Sequence, residues 1–399
     1  MFDYRDLKVL STAPALQVQG MGRLSDLLDD LVVYRRLEPM DPRLPSLQDA
    51  WRDMGLADSS IPRKLEQPYA RVVTWLLQRA RELDAPGQKI RQVIYLGDTA
   101  TSDSIAFHNV LQVTGWSGWA FIASEQADAP PTIEHRDDGI TLTNRWGAIA
   151  HWLCWLTEEQ GVRIDASTAV IVDIDKTALG GRGRNSTPID QARMEGVEQI
   201  VAQVLGERFD HDLFQRAYQE LNQSRYHPFT ADNQDYLAYT CLIIGAGLCS
   251  LEELIEDIST GRMADFEQFI RWVDARLCRA DDLGLIDIHR TVYAHLRAGD
   301  PTPFKAFRRQ EYLATVRRMG HLPNDVPIER RLQEEICLTG EVLAVVKWLK
   351  ERDVIMLALS DKPDEASVPT PEQETEGYLP LHRVPTHIVG HPIEEWLPR

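Results

Sequence analysis

Three short apolar runs in this sequence end abruptly in residues that could do chemistry. Asp98 closes the first run, VIYLGD, and Asp103 follows five residues later. The second run ends in Asp173 and Asp175, and the third, VIMLALS, ends in Ser360. Carboxylates held close together repel unless protons or a cation compensate them, and oxygen-only ligands favour a hard ion such as Mg2+. If the runs are neighbouring parallel strands, these residues converge on one crevice at the carboxyl edge of a sheet.

Each of these residues also has an ordinary structural interpretation. Asp173 and Asp175 could cap a helix or form a surface turn, and Asp98 could belong to a Gly-Asp turn after a strand. Asp103 and Ser360 could cap the helices that follow them. Their shared position after apolar runs favours the site interpretation, in which one member of the Asp173–Asp175 pair attacks and the other moves protons.

Apolar periodicity predicts an α/β scaffold that would position these residues. Strands are expected at 93–96, 119–123, 169–172, 354–359 and, as a fifth, 386–389. Helices are expected at 21–36, from Pro68 to Pro86-Gly87, from Asp103 onward and at 146–159. Residues 178–353 show almost only helical periodicity, whereas the polar segments 128–139 and 364–380 are expected to be loops. Apolar runs flanked by helices favour a Rossmann-like, doubly wound parallel sheet covered on both faces.

The three runs resemble the motifs of a known family. VIVDIDKT, at 170–177, resembles the first motif of the haloacid-dehalogenase-like (HAD) superfamily of phosphohydrolases. VIMLALSDKP, at 354–363, resembles the second motif, and VIYLGDTATSD, at 93–103, resembles the fourth. Lys64 matches the lysine of the third motif. The order here is third, fourth, first, second, so the resemblance implies a circularly permuted HAD core.

Permutation is tolerated where the joined ends lie close together at a surface. The original ends would be joined through the helix at 146–159, and the new ends would lie between the fifth strand and Lys64. The helical block occupies the place of the family's C1-type cap. The expected organisation is a partly helical N-terminal segment at 1–60, a first part of the core at 61–177, a helical cap at 178–340 and a second part of the core at 341–399.

The resemblance implies a role for each catalytic residue. Asp173 would be the nucleophile that forms an aspartyl-phosphate, and Asp175 would protonate the leaving oxygen and then activate water. Ser360 would hydrogen-bond the phosphoryl group, and Lys64 would neutralise its charge. Lys362, two residues after Ser360, is the alternative to Lys64. An acid at position 175 argues against haloacid dehalogenation, because the family's dehalogenases lack it.

The resemblance also implies the metal and substrate contacts. Mg2+ would be held by Asp173, Asp98 and the backbone carbonyl of Asp175, with Asp103 helping directly or through water. The glycine-rich segment GGRGRN follows the first motif. Its Arg182 and Arg184 could hold a second anionic group of the substrate. The alternative is a flexible hinge with solvated arginines.

Composition excludes several other classes of protein. The chain has 399 residues, and 61 acidic against 43 basic residues give a formal net charge of −18. This charge argues against a nucleic-acid partner and against docking on anionic membranes. A hydrophobic fraction of 43% argues against a disordered chain.

Cysteine and histidine usage indicates a reducing compartment. The five cysteines contain no CxxC, so neither a disulfide framework nor a thiolate zinc site is expected; they are Cys154, Cys241, Cys249, Cys278 and Cys337. The charged residues Asp3, Arg5 and Lys8 leave no apolar stretch for a signal peptide. The cluster of His382, His387 and His391 is interpreted as strand-end and loop histidines rather than a zinc site.

These observations predict a cytoplasmic, Mg2+-dependent phosphatase that acts on a small phosphorylated metabolite under a helical lid. Two alternatives stay open within the resemblance. A phosphomutase would use the same intermediate, and a catalytically inactive HAD-like protein would serve as a binding or scaffold protein. A third alternative is a different doubly wound fold. The substrate and the oligomeric state are left open by the sequence.

Overall fold

The computed structural model describes residues 15–277 and 283–399 of the chain. The N-terminal residues on which the signal-peptide prediction rests, and Cys278, lie outside them. The described residues form two compact units, one of 15–191 and 315–399 and the other of 192–314. The domain boundaries expected from the sequence stay predictions.

The first unit is built around a mostly parallel sheet. Its described strands are β1 (Gln17–Gly22), β2 (Val32–Val33), β3 (Gln92–Gly97), β4 (Ser117–Ala123), β5 (Ile133–His135), β6 (Ile140–Thr143), β7 (Thr168–Asp173), β8 (Leu338–Thr339), β9 (Ile355–Leu359) and β10 (Thr386–Gly390). Seven of them form one sheet in the order β2-β9-β7-β3-β4-β6-β5. Every neighbouring pair is parallel except the β5–β6 pair. A second sheet has the order β1-β10-β8.

Helices account for about half of the remaining described residues. They are α1 (Ser25–Leu28), α2 (Leu47–Ala50), α3 (Gln67–Asp84), α4 (Ser102–Thr114), α5 (Ala148–Cys154), α6 (Thr187–Leu205), α7 (His211–Leu221), α8 (His227–Thr230), α9 (Gln234–Gly245), α10 (Leu251–Ser259), α11 (Phe266–Leu277), α12 (Leu283–Arg297), α13 (Lys305–Arg317), α14 (Ile328–Glu334), α15 (Gly340–Lys350) and α16 (Pro371–Thr375). A π-helical turn, Trp155–Glu159, continues α5. In the described parts of the chain, no helix combines the length and apolar character needed to cross a membrane.

The strand order creates a crevice in the seven-stranded sheet. From β3 the chain passes through α4 to β4, on one side of β3. From β7 it eventually reaches β9, on the opposite side. Because these connections leave in opposite directions, β3 and β7 flank a topological switch point, where open α/β sheets bind ligands. The sheet thus offers its crevice between the strands that precede Asp98 and Asp173.

Helices cover both faces of this sheet. On one face, Val93 and Tyr95 of β3 share a buried core with Val72 and Leu76 of α3. On the other face, the ring of Phe121 in β4 lies 5.3 Å from that of Trp152 in α5. The alternation follows from the pleat, which points successive side chains to opposite faces. The predicted mixed α/β fold with a mostly parallel sheet is confirmed.

The second unit is helical throughout its described residues and has its own core. Phe266 of α11 stacks on Tyr236 of α9, with ring centroids 4.0 Å apart, and Phe269 is completely buried. The central residues of α9 are buried on all sides.

The helix expected around 21–36 is present only as the short helix α1. The structure has the end of β1, the four-residue helix α1 and strand β2 in this segment. Asp29 has a positive φ of 50°, which ends α1, and the next apolar pair, Val32–Val33, pairs with β9. Leucines at helical spacing were therefore overridden by strand pairing at the sheet edge.

Three further local predictions need correction. The loop predicted at 128–139 contains β5, which forms an antiparallel pair with the unpredicted strand β6. The strand predicted at 386–389 exists as β10, but it pairs with β1 and β8 in the second sheet and is not a fifth strand of the main sheet. The surface loop predicted at 364–380 is partly buried, since Ala366 and Ser367 are inaccessible to solvent.

Candidate active site

Strand β7, which lies between β9 and β3, places Asp173 at the carboxyl edge of the main sheet. In the β7–β3 register Val172 is opposite Leu96, and Asp98 comes two residues after Leu96. In the β7–β9 register Asp173 is opposite Leu359, and Ser360 comes next. All three polar residues are buried. The convergence expected from three separate motifs is therefore present for Asp98, Asp173 and Ser360.

Lys64 bridges two of the carboxylates. Its Nζ lies 2.6 Å from Oδ1 of Asp173 and 2.7 Å from Oδ1 of Asp103. The lysine is 7% exposed, and burial alone would lower its pKa. The charges of Asp103 and Asp173 outweigh burial and raise the pKa of Lys64 well above its usual value, so the ammonium stays charged. Lys64 directly precedes the first turn that leads into α3.

Asp103 is a positioning residue in this arrangement. Its Oδ2 accepts hydrogen bonds from the backbone amides of Asp98 and Thr99, both at 2.8 Å, and its Oδ1 accepts one from Tyr95 at 3.1 Å. Burial would raise the pKa of Asp103, but Lys64 and these donors lower it. A Cβ on Gly97 would lie 2.5 Å from Oδ2 of Asp103, so the end of β3 requires a glycine. Because Oδ1 of Asp103 pairs with Lys64 and Oδ2 accepts from the backbone amides, Asp103 orients both Lys64 and the 98–99 turn.

Asp98 and Asp173 hold the unbalanced negative charge of the site. Burial and the charge of Asp103 raise the pKa of Asp98 to about 6, although Arg182 and Lys64 oppose the shift. Burial also raises the pKa of Asp173 well above its usual range; the charges of Asp103 and Asp98 add to this, and Lys64 opposes it. The carboxylates of Asp98, Asp103 and Asp173 pair with the cationic side chains of Lys64 and Arg182.

A tight turn follows β7 and carries the second acid of the first motif. The backbone carbonyl of Ile174 accepts hydrogen bonds from the amides of Thr177, at 3.2 Å, and Leu179, at 2.9 Å. Lys176 has a positive φ of 65° within this turn, and Asp175 is partly exposed. The Thr177 hydroxyl donates to Oδ2 of Asp173 at 3.1 Å. Thr177 therefore ties the turn back to the strand end.

The glycine-rich segment after this turn is closely packed. Gly183 has a φ of +78°, and a Cβ there would collide with the backbone carbonyl of Glu125. Gly181 leaves room for no side chain either, since a Cβ would lie 2.9 Å from Oγ1 of Thr339. This packing does not fit the flexible hinge considered from the sequence.

The two arginines of this segment differ sharply. The Arg184 side chain is 3% exposed and pairs with Glu125 at 2.7 Å and Glu341 at 2.8 Å. The structure therefore does not bring Arg184 to the site, and its predicted substrate contact has no support. Arg182 is 37% exposed and pairs through Nε with Oδ2 of Asp98, while its Nη2 donates to Oγ1 of Thr99 at 3.1 Å.

Ser360 and the alternative lysine occupy the β9 side of the edge. The Ser360 hydroxyl accepts a hydrogen bond from the backbone amide of Lys362 at 3.1 Å, and its own amide donates to Val33 of β2 at 3.0 Å. Lys362 is also buried. The ammonium of Lys64 contacts Asp173.

The C-terminal histidines lie in local polar clusters. His382 is buried, with its Nε2 3.1 Å from Oδ1 of Asp30. His387 is buried beside Glu335, with its Nδ1 2.6 Å from Oε1. Across residues 15–277 and 283–399, no group of three or more His, Cys, Asp or Glu side chains is placed to hold a metal ion.

The chemistry of the donors expected for Mg2+ suits a hard cation. The expected set is the carboxylates of Asp98 and Asp173 and the backbone carbonyl of Asp175, with Asp103 helping directly or through water. Both carboxylates are buried with raised pKa values, which a divalent cation would compensate. Their oxygen chemistry is that of a hard-cation site.

Sequence reasoning missed the residues that hold these groups in place. Tyr95 and Thr99 lie within the fourth-motif segment, and their polar side chains were the sequence signal that could have identified them. Glu125 and Glu341 carry no motif signal, because their role exists only through a partner distant in the sequence.

Comparisons with known proteins identify no relative of this chain. No protein-family model matches it, and no curated protein or solved structure is significantly similar to it. The functional interpretation therefore rests on the motifs and on the geometry of this site.

Proposed function

We propose that this chain is a Mg2+-dependent phosphohydrolase with a circularly permuted HAD-like core, acting on a phosphomonoester of a small metabolite. The observation that carries the proposal is the contact of Asp173 with Lys64, at 2.6 Å, at the carboxyl end of β7. Asp98 and Ser360 follow the two neighbouring strands. A nucleophile, a cation and phosphate-binding polar groups thus share one crevice at the switch point.

The chemistry assigned to these residues proceeds in two steps. An oxygen of the Asp173 carboxylate attacks phosphorus while the bond from phosphorus to the substrate oxygen breaks. Asp175 gives its proton to that leaving oxygen. Asp175 then takes a proton from water, which attacks the aspartyl-phosphate and returns Asp173 as a carboxylate. Lys64 and Ser360 stabilise the phosphoryl oxygens throughout.

The proposed cofactor is Mg2+, held by Asp98, Asp173 and the backbone carbonyl of Asp175. It would supply charge neutralisation for the phosphoryl group and for the carboxylate nucleophile. The engagement of Asp103 with Lys64 and two amides favours an indirect role for that residue.

The helical block between the first and second motifs is proposed to be a C1-type cap. Its support is its place in the chain, after Asp173 and before Ser360, and its own apolar core. A cap of this kind excludes water and selects the substrate. A cytoplasmic location, with no nucleic-acid or membrane partner, completes the proposal; the free thiols of Cys154, Cys241, Cys249 and Cys337 agree with a reducing compartment.

The decisive experiment is hydrolysis of p-nitrophenyl phosphate and of a phosphometabolite panel with and without Mg2+. Asp173→Asn should lower kcat at least about 10³-fold while retaining the circular dichroism spectrum, because the amide is a poor nucleophile. Asp165→Asn is the matched control, since Asp165 lies at the opposite end of β7 and bonds Ser167. Equal activity of the wild type and the Asp173 variant would refute the assignment.

Two further measurements separate the alternatives. Product analysis with a sugar phosphate distinguishes release of inorganic phosphate from transfer to a second hydroxyl, which a phosphomutase would catalyse. An inactive HAD-like binder would be stabilised thermally by vanadate with Mg2+ but would release no phosphate from any substrate.

A further inference from the structure

Arg182 combines a fixed backbone with an accessible side chain. Its amide donates to the carbonyl of Lys176 at 2.7 Å. Its carbonyl accepts from the amide of Glu125 at 3.0 Å and from Nε1 of Trp146 at 3.2 Å. The backbone is thus tied on both sides. The guanidinium, by contrast, is more than one-third exposed.

Arg184 explains why this backbone is fixed. Its buried guanidinium joins Glu125, beyond β4, to Glu341 in the first turn of α15. The adjacent Gly183 packs against Glu125 with no space for a side chain. The two arginines of this loop therefore have different roles. Arg184 anchors the loop, and the Arg182 side chain projects from it at the switch point.

The Arg182 guanidinium is paired with Asp98, the carboxylate that a divalent cation would need as a ligand. Nε pairs with Oδ2 of Asp98, and Nη2 holds the Thr99 hydroxyl in the same turn. A metal ion coordinated by that oxygen would be a second positive group on an oxygen that Arg182 already holds. The two positive groups therefore compete for Asp98.

We propose that Arg182 is the counter-ion of Asp98 until a divalent cation binds, and that the cation frees Arg182 to bind the anionic substrate. This inference rests on the proposed function, because it takes Asp98 as a ligand of Mg2+. Metal and substrate would then bind cooperatively, since the first ligand removes an ion pair that the second ligand would otherwise have to break.

The proposal predicts that Arg182 weakens Mg2+ binding in the absence of substrate. Isothermal titration calorimetry of the full chain with Mg2+ alone measures this affinity without turnover. Arg182→Gln should bind Mg2+ about fivefold more tightly than the wild type, because a partly exposed ion pair no longer competes. Arg136→Gln is the matched control, since Arg136 is exposed and pairs with Glu134 in the β5 region; its affinity should equal that of the wild type.

Arg182→Lys separates competition from a general charge effect. Lysine keeps the positive charge but cannot bond Asp98 and Thr99 with a planar fork. Competition predicts that the lysine variant binds Mg2+ more tightly than the wild type. A field effect alone predicts the wild-type affinity, and that result would overturn the proposal.

Binding of an oxyanion tests the second part of the inference, that the cation frees Arg182 to bind the anionic substrate. With Mg2+ saturating, tungstate should bind the wild type at least about tenfold more tightly than Arg182→Gln. Without Mg2+, the two proteins should differ by less than about twofold, because Arg182 is then held by Asp98.

The outcomes distinguish this inference from the proposed function. Wild-type protein that neither binds Mg2+ nor hydrolyses phosphomonoesters refutes the proposed function. Wild-type protein that does both, with unchanged or weaker Mg2+ binding in folded Arg182→Gln, refutes only the role of Arg182. Circular dichroism and the melting temperature establish that each variant is folded.

Discussion

At the scale of single residues, the site is an excess of buried negative charge around one lysine. Lys64 satisfies Asp103 and Asp173 together, and Asp98 depends on Arg182. Removing one partner of a buried ion pair leaves an uncompensated charge, whereas an exposed pair contributes little. The charges at this edge should therefore dominate both stability and metal affinity.

Lys64→Met should lower the free energy of unfolding by about 3 kcal/mol at pH 8, because two buried carboxylates lose their shared cation. Urea unfolding followed by circular dichroism measures this change. Lys350→Met is the control, since Lys350 forms an exposed pair with Asp29, and it should change stability by less than about 1 kcal/mol. Equal effects of the two substitutions would contradict the buried bridge.

Mg2+ affinity should rise with pH through about 6, the raised pKa of Asp98. Below that pKa the carboxyl carries a proton that the cation must displace, so affinity should fall by up to about tenfold per pH unit. Calorimetric titrations from pH 5 to pH 8 measure this dependence. A flat profile over this range, with binding intact, would show that Asp98 does not bind the metal.

The sequence predicted the meeting of Asp98, Asp173 and Ser360 because carboxyl ends of neighbouring parallel strands share one edge. It also supplied Lys64, through the third-motif resemblance, and the structure gives that lysine its partners. The fate of Arg184 was not predictable, since its partner Glu341 is 157 residues away in the sequence. Burial of such a pair depends on tertiary packing that no local pattern encodes.

At the scale of elements, the glycine-rich segment after β7 is a rigid support. Gly180 and Gly183 have positive φ values; a Cβ on Gly180 would meet the Ile189 side chain, whereas a Cβ on Gly183 would meet the backbone of Glu125. Backbone atoms cannot move aside as flexible side chains can. Steric fit, more than chain flexibility, therefore explains the glycines.

Gly183→Ala should destabilise the fold by more than about 2 kcal/mol, because the new methyl group meets the Glu125 carbonyl and the φ is unfavourable. Gly87→Ala is the matched control. Gly87 also has a positive φ, of 84°, but open space surrounds its Cβ position, so only about 1 kcal/mol should be lost. Urea midpoints of the two variants give the comparison, and similar losses would contradict close packing at Gly183.

Element prediction succeeded where periodicity was long or strands were strongly apolar. Helix α3 and strands β3, β7 and β9 were predicted close to their observed bounds. Strand β2 was missed, because two valines inside a leucine-rich segment are too short a run to show the two-residue alternation of a strand. Its pairing with β9 depends on a partner more than 300 residues away in the sequence.

At the scale of the whole molecule, the charge balance sets the class of partner. A formal net charge of −18 repels polyanions. We expect no mobility shift of a 30-base-pair DNA duplex and no co-sedimentation with phosphatidylserine vesicles at 150 mM salt. A basic DNA-binding protein serves as the positive control, and saturable binding would contradict the prediction.

The interior position of β7 in the sheet has a consequence for the chain during its synthesis. Roughly 180 residues separate β7 from its neighbour β9, so a ribosome adding about 5–20 residues per second needs about 10–40 s between them. Throughout that interval one hydrogen-bonding side of β7 has no native neighbour to cover it. The strand that ends in Asp173 is therefore a segment that a chaperone would protect during synthesis.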